Sequence, residues 1–207
     1  MAFAKDQPQF APEELQGESD EVLMVRVCEG DVAAYEAIYS RYKNRILTFV
    51  HRYLGDRDWA EDLTQEVFLK VYRNPQAFDP RSRFLTWLFT VARNLTIDFM
   101  RRKKPSASLT AYKDGGEVTL EPVMDGEEGP VQLALVKEME ENLQEMLGSL
   151  SDKLREVFIL CAMHGMSYEE VAQVVGCPAK TVSSRLSRAR ERFMKGFNSY
   201  LSGRKTS

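Results

Sequence analysis

Few residues of this 207-residue chain suit metal or disulfide chemistry: it holds three cysteines and two histidines. Cys28, Cys161 and Cys177 are far apart and odd in number, a spacing that makes neither a disulfide framework nor a zinc site. They read as reduced thiols of a cytoplasmic protein. His51 and His164 have no ligand-type neighbours in sequence and read as structural or exposed. No apolar run approaches the roughly 20 residues that a membrane span needs. The polar, acidic start MAFAKDQPQFAPEELQGE does not have the form of a secretory leader. No carboxylate pair, histidine cluster or glycine-rich phosphate loop stands in register for catalysis. These absences argue against metal, cofactor and membrane roles and predict a protein that is not an enzyme. What remains is a hydrophobic content of 43%, enough for real cores, in a length that suits one or two small domains.

Charge divides the chain more sharply than its net value of −3 suggests. Residues 1–20 carry −4 and residues 105–130 carry −5, whereas residues 21–104 carry +4 and residues 131–207 carry +2. Two basic, helically patterned blocks therefore alternate with two acidic, poorly patterned segments. The expected units are a disordered acidic extension over 1–18, a first domain over 19–104, a flexible acidic linker over 105–130, a second domain over 131–201 and a disordered tail over 202–207. A DNA phosphate responds to local basic faces, not to the overall isoelectric point.

The clearest motif is SYEEVAQVVGCPAKTVSSRLSRARERF, residues 167–193. Ser167 and Glu170 have capping-box spacing, Gly176 ends a short helix, and Pro178 suits the first turn of the next. In that second helix Val182, Leu186, Ala189 and Phe193 recur at core spacing. Lys180, Thr181, Ser184, Arg185, Ser187, Arg188 and Arg192 are left facing outward. Six Lys/Arg stand against one Glu between residues 180 and 195. This is a helix-turn-helix whose second helix suits the major groove, where Arg offers bidentate contacts to guanine. A solvated basic helix in an ordinary bundle is the bland alternative.

Four helices are predicted in the first basic block: Glu21–Cys28 capped by Ser19 or Asp20, Val32–Tyr53, Asp58–Arg73 and Phe84 to about Lys103. The block is all-α. The third helix has two faces: Leu63, Val67, Phe68, Val71 and Tyr72 form the expected buried side, while Asp62, Glu66, Leu69 and Arg73 share a second face beside Gln65 and Lys70. Carboxylates, an amide and an exposed Leu together suit docking against a basic helical partner; a solvated face with one stray Leu would look similar. The fourth helix mixes aromatics with a run of four basic residues, Arg101 to Lys104, a combination that can stack bases and hold phosphates. Taken alone, Trp87 and Phe89 are more often core. The loop NPQAFDPRSR before it offers groups for a flipped-base pocket.

In combination DLTQEVFLKVYR, FDPRSRFLTWLFTVARN, an acidic linker and the C-terminal helix-turn-helix resemble the extracytoplasmic-function sigma factors of bacterial RNA polymerase, over about residues 20–104 and 131–200. The resemblance implies an all-α factor of two small helical domains, one of the region 2 type and one of the region 4 type. It implies that the helix with Asp62, Leu63, Gln65, Glu66 and Leu69, extended by Arg73, binds the coiled coil of the β′ clamp, with the β flap as a further polymerase contact. Asn94 and its neighbours Arg93 and Asp98 would meet the −10 element together with Trp87. The loop with Phe78, Arg81 and Ser82 would capture a flipped non-template base, and Arg101 and Arg102 would grip phosphates. The outward strip of the last helix would read the −35 element. Ser183 and Ser187 depart from the larger or basic side chains common there, so the resemblance does not carry over a −35 sequence. The linker would thread toward the RNA exit path, and an anti-sigma factor would hold the protein inactive. The competing classes are a free-standing helix-turn-helix regulator and a small helical enzyme.

Overall fold

The computed structural model describes residues 17–103 and 130–204, and all regular structure among them is helical. The expected N-terminal extension, linker and tail lie outside the described residues, apart from residues 17–18, 130 and 202–204. The N-terminal domain consists of α1 (Asp20–Cys28), α2 (Val32–Leu54), α3 (Arg57–Arg73), a 3-10 turn at Pro75–Ala77 and α4 (Phe84–Lys103). The C-terminal domain consists of α5 (Pro130–Gly148), α6 (Asp152–Phe158) continued by a π-turn to Met163, α7 (Tyr168–Val175) and α8 (Ala179–Arg204). Three residues of the expected tail thus belong to α8.

Short polar side chains set the helix starts. Ser19, Asp31 and Asp56 accept from the amides of Val22, Ala34 and Trp59 at 3.3, 3.2 and 3.1 Å, taking up donors that the first turns leave unpaired. Gly55 ends α2 in the left-handed region at φ 77°, which a residue with a Cβ enters only with strain. From these ends α2, α3 and α4 bury Phe49, Phe68, Phe84 and Phe89 completely, each worth on the order of 2–3 kcal/mol of apolar transfer. Tyr72 corrects its expected burial. It is 53% exposed and lies edge-on to Tyr35 of α2 at the rim of the bundle's core.

The two domains do not stand apart. One buried apolar cluster runs from Leu23 in α1 to Ala189 in α8, and α4 packs along α7. The seam between the domains carries further polar contacts. Gln144 Nε2 donates to the carbonyls of His51 and Arg52 at 3.2 and 3.4 Å, and Arg155 Nη1 to that of Tyr53 at 2.9 Å. The carbonyls at the end of α2 thereby gain partners from the other domain, that of His51 in addition to the Gly55 amide of its own helix end.

Candidate polymerase and nucleic-acid interface

Along α3 the two predicted faces are physically distinct. Ala60, Leu63, Thr64, Val67, Phe68 and Val71 are buried, while Asp62, Gln65, Glu66, Leu69 and Arg73 are exposed, Leu69 by 42%. Leu63 is 5% exposed and packs in the core, so it supports this face from beneath and presents no surface of its own. Glu66, Leu69 and Arg73 border a groove of about 430 Å³ whose other wall is Ala77, Trp87 and Val91. An amphipathic floor with charged rims is what an incoming helix needs.

Residues foreseen for −10 DNA scatter over three environments. Asn94, Asp98, Arg101 and Arg102 are exposed on α4, and Arg81 and Ser82 are exposed in the loop before it. Arg81 is folded onto Asp79 at 2.9 Å and Ser82 Oγ donates to the Asp79 carbonyl at 2.6 Å, so the loop is internally braced. Phe78 contradicts its reading as a base-facing group. It is 4% exposed, edge-on to Phe84 at 5.6 Å and 5.4 Å from Trp87, and it anchors the loop to the core. Trp87 is half-buried. Arg93 is half-buried as well, its Nε bonded to Glu156 of α6.

The helix-turn-helix forms as its sequence dictates. Ser167 Oγ accepts from the Glu170 amide at 3.2 Å while Glu170 Oε2 accepts from the Ser167 amide at 2.8 Å, and Gly176 closes α7 at φ 69°. Pro178 stands just before α8, not inside it, and its carbonyl accepts from Thr181 at 2.8 Å. Val182, Leu186 and Ala189 are buried, and Phe193 is half-buried and stacked on Phe158 at 4.7 Å. Opposite them Lys180, Ser184, Ser187, Arg188 and Arg192 are exposed, and Thr181 and Arg185 are half-buried. Arg185 is steadied by Cys177, whose Sγ lies 3.6 Å from Nη1.

Burial shapes the titratable groups between the domains. Desolvation pushes the Glu156 carboxyl up, against the hydrogen bond and charge of Arg93 and the charge of Arg185. Burial holds His164 down at about 4, and the Arg45 cation adds to this. The His164 ring sits 4.9 Å from Phe89 and 6.2 Å from Phe49, and its carbonyl accepts from Arg45 at 3.1 Å. His51 is also buried and lowered. The cysteines are free; burial pushes the Cys161 thiol up to about 11. Among the described residues no group of His, Cys, Asp and Glu is arranged to hold a metal, and no helix is long and apolar enough to cross a membrane. The cross-domain partners Glu140, Glu156 and Glu170 escape sequence reading, because each lies on a helix whose pattern records only its own core.

A helical bundle with a second, exposed face on α3, joined to a helix-turn-helix with a basic exposed strip, is the architecture of the sigma-70 class. The Sigma-70 region 2 model matches residues 38–105 and the Sigma-70 region 4 model matches residues 140–193. The chain is 36% identical over 176 residues to the ECF RNA polymerase sigma factor SigW of Bacillus subtilis, covering 82% of this chain and 92% of that one. It is 34% identical to the ECF RNA polymerase sigma-E factor of Escherichia coli, covering 84% and 91%. The chain belongs to the extracytoplasmic-function sigma factors. Among solved structures it resembles the sigma factor RpoE of Bartonella quintana in complex with the anti-sigma factor NepR, with TM-score 0.62 and 27% identity over 79% of this chain and 96% of that one. The fold of CnrH, solved with the cytosolic domain of CnrY, matches at TM-score 0.66 and 24% identity over 88% of this chain and 99% of that one.

Proposed function

We propose that this sigma factor carries core RNA polymerase to promoters through three surfaces, and that it works in the cytoplasm without catalysing a reaction itself. The exposed α3 face of Asp62, Gln65, Glu66, Leu69 and Arg73, backed by Leu63, docks on the β′ clamp coiled coil; the β flap takes the C-terminal domain. Asn94, with Asp98, Trp87 and a released Arg93, meets the −10 element as it melts. Arg81 and Ser82 face the flipped base, while Arg101 and Arg102 hold phosphates. Lys180, Thr181, Ser184, Arg185, Ser187, Arg188 and Arg192 on α8 enter the major groove at the −35 element. Residues 19–104 and 131–201 act as the two functional units, joined by the acidic segment 105–130. A separate anti-sigma factor restrains the protein, a reading supported by its likeness to the sigma factor RpoE solved in complex with the anti-sigma factor NepR.

The observation that carries this reading is the second, non-core face of α3, where a 42% exposed Leu69 stands among exposed polar groups. A buried apolar anchor ringed by polar contacts is the usual energetic centre of an interface, worth about 2 kcal/mol or more. Gel filtration with core polymerase tests it. The wild-type chain should co-elute, and Leu69→Glu or Asp62→Arg should bind at least about thirtyfold more weakly, since 2 kcal/mol is about that factor. Melting temperature should barely change. Equal affinity of the variants for core polymerase contradicts the assignment. A free-standing regulator would not co-elute at all.

A further inference from the structure

Four helices of this chain bring their own cap: Ser19, Asp31, Asp56 and Ser167 each offer a side-chain oxygen to the turn that follows. The start of α4 is built differently. Arg83 precedes it and has no acceptor to offer, and no residue of the first turn is acidic. The acceptor comes instead from another helix. The Phe84 amide donates to Glu21 Oε1 of α1 at 3.1 Å, across 63 residues of chain. A carboxylate at this end pairs an amide that α4 itself leaves orphaned and suits the positive end of the helix dipole.

Glu21 is itself held in place. Arg41 Nη1 donates to the Glu18 carbonyl at 2.8 Å and to Asp20 Oδ1 at 2.9 Å, and Arg26 Nη1 donates to Glu18 Oε1 at 2.7 Å. The Tyr42 hydroxyl donates to Asp20, and the Tyr42 ring lies edge-on to Phe84 at 5.4 Å. Phe84 in turn lies edge-on to Phe78 at 5.6 Å, and all three rings are buried. Two routes therefore run from the first residues of α1 to the loop before α4. One passes through Glu21 and the Phe84 amide, the other through Asp20, Tyr42 and the Phe84 ring. Between the anchors Phe78 and Phe84, residues 79–83 are braced on Asp79, whose carbonyl accepts from the Ser82 amide at 2.8 Å and whose carboxylate accepts from the Arg81 amide at 3.0 Å. A short loop braced in this way takes its orientation from its anchors.

We propose that Glu21 is a positioning residue for base capture: it caps α4 from α1 and so fixes the orientation in which residues 79–83 present Arg81 and Ser82 to a displaced base. The inference rests on the proposed assignment of Arg81 and Ser82 to that base. Glu21 is half-buried and acts through Phe84, whereas Arg81 and Ser82 are exposed. Two substitutions separate its hydrogen bond from its bulk. Glu21→Ala removes the acceptor and keeps a good helix former in α1, while Glu21→Gln keeps an oxygen acceptor at the same reach.

Two measurements test this. In the full chain, amide hydrogen exchange read by NMR should be about fivefold faster at Phe84 in Glu21→Ala, the factor that corresponds to a cap of about 1 kcal/mol, and close to wild type in Glu21→Gln. Far-UV circular dichroism should be unchanged in both. The second measurement uses the holoenzyme formed with core polymerase and a promoter fragment that it transcribes, with 2-aminopurine placed at each non-template base of the −10 element in turn. The wild type should brighten one position most, where the base leaves the stack. Glu21→Ala should capture that base about fivefold less at matched occupancy, with unchanged binding to a −35 duplex, and Glu21→Gln should restore it. Wild-type exchange in Glu21→Ala overturns the cap. Faster exchange with wild-type fluorescence overturns its role in base capture. A loss spread evenly over all positions and matched by weaker −35 binding marks a general folding defect and overturns the proposal as well. If no position brightens with the wild-type holoenzyme, the assignment of Arg81 and Ser82 fails and the role of Glu21 in capture falls with it, while Phe84 exchange still reads the cap separately.

Discussion

The helices α4 and α8, both proposed above to read DNA, divide their surfaces differently. α8 divides its circumference in two: Val182, Leu186 and Ala189 go to its own core and the basic strip goes to solvent. α4 divides its circumference in three. Phe84, Leu88, Phe89, Ala92 and Leu95 are buried, Arg93 points to Glu156 of the other domain, and Asn94, Asp98, Arg101 and Arg102 remain exposed. Two-faced amphipathicity is a local property and reads directly from spacing. A three-faced helix depends on what the rest of the chain brings against it. The α8 strip therefore follows from its own pattern, while the Arg93 side of α4 depends on the other domain.

The largest expected effect breaks the side of α4 that both the core and the seam use. Phe89 is fully buried and lies edge-on to Phe49 as well as beside His164. Phe89→Ala should cost about 3–5 kcal/mol of stability. Thermal melts should show this loss together with weaker cross-domain closure. A loss below 1 kcal/mol would show that the seam does not depend on this ring.

Acid should loosen the same seam through His164. Its folded value of about 4 lies below the ordinary 6.5, so unfolded or opened chains bind the proton better. The stabilisation is complete above pH 6.5 and is lost as pH falls from there toward 4, by at most about 3 kcal/mol. Glu156, raised by burial, contributes with the opposite sign. His164→Phe keeps an aromatic ring against Phe49 and Phe89 but removes the titration. The stability difference between the two proteins should therefore grow steadily from pH 6.5 to 4, as measured by urea unfolding. A constant difference contradicts burial of a neutral imidazole.

On α8 the comparison can be sharpened residue by residue. Arg185 is half-buried and steadied by Cys177, whereas Arg188 is exposed. A side chain held in place suits base readout, and a free one suits phosphate. Arg185→Ala should relax preference at one −35 position by about 1–3 kcal/mol, while Arg188→Ala should weaken all sequences alike and reduce the salt dependence. Selection from a promoter library measures both. Retention of the parental preference by both variants contradicts the strip.

The smallest effect concerns the start of the motif. Ser167→Ala removes one half of the capping box and should cost about 1 kcal/mol in the C-terminal domain. Calorimetry should place that loss in the melting of α7 and α8. No change would mean that Glu170, also bound to Arg83, holds the turn unaided.

Local rules made much of this molecule legible. The caps at Ser19, Asp31 and Ser167, the breaks at Gly55 and Gly176, and the two faces of α3 all follow from short-range geometry, and the structure has them. The misses share one cause. The resemblance places Phe78 beside a flipped base, yet tertiary contact with Phe84 and Trp87 buries it. Tyr72 has core spacing but is 53% exposed, with its ring against Tyr35. Arg93, expected at the −10 element, pairs in the structure with Glu156 of α6, 63 residues away. Pairings across such separations leave no periodic trace in either helix.

Run-off transcription with purified core polymerase and genomic promoter fragments tests the central claim most directly. Transcripts should start downstream of a shared −35 and −10 pair only when the chain is present. Leu69→Glu should abolish them, and Asn94→Ala should reduce them through poor promoter opening at matched occupancy. The account is contradicted if the chain binds the same fragments equally well without polymerase and adds no transcripts.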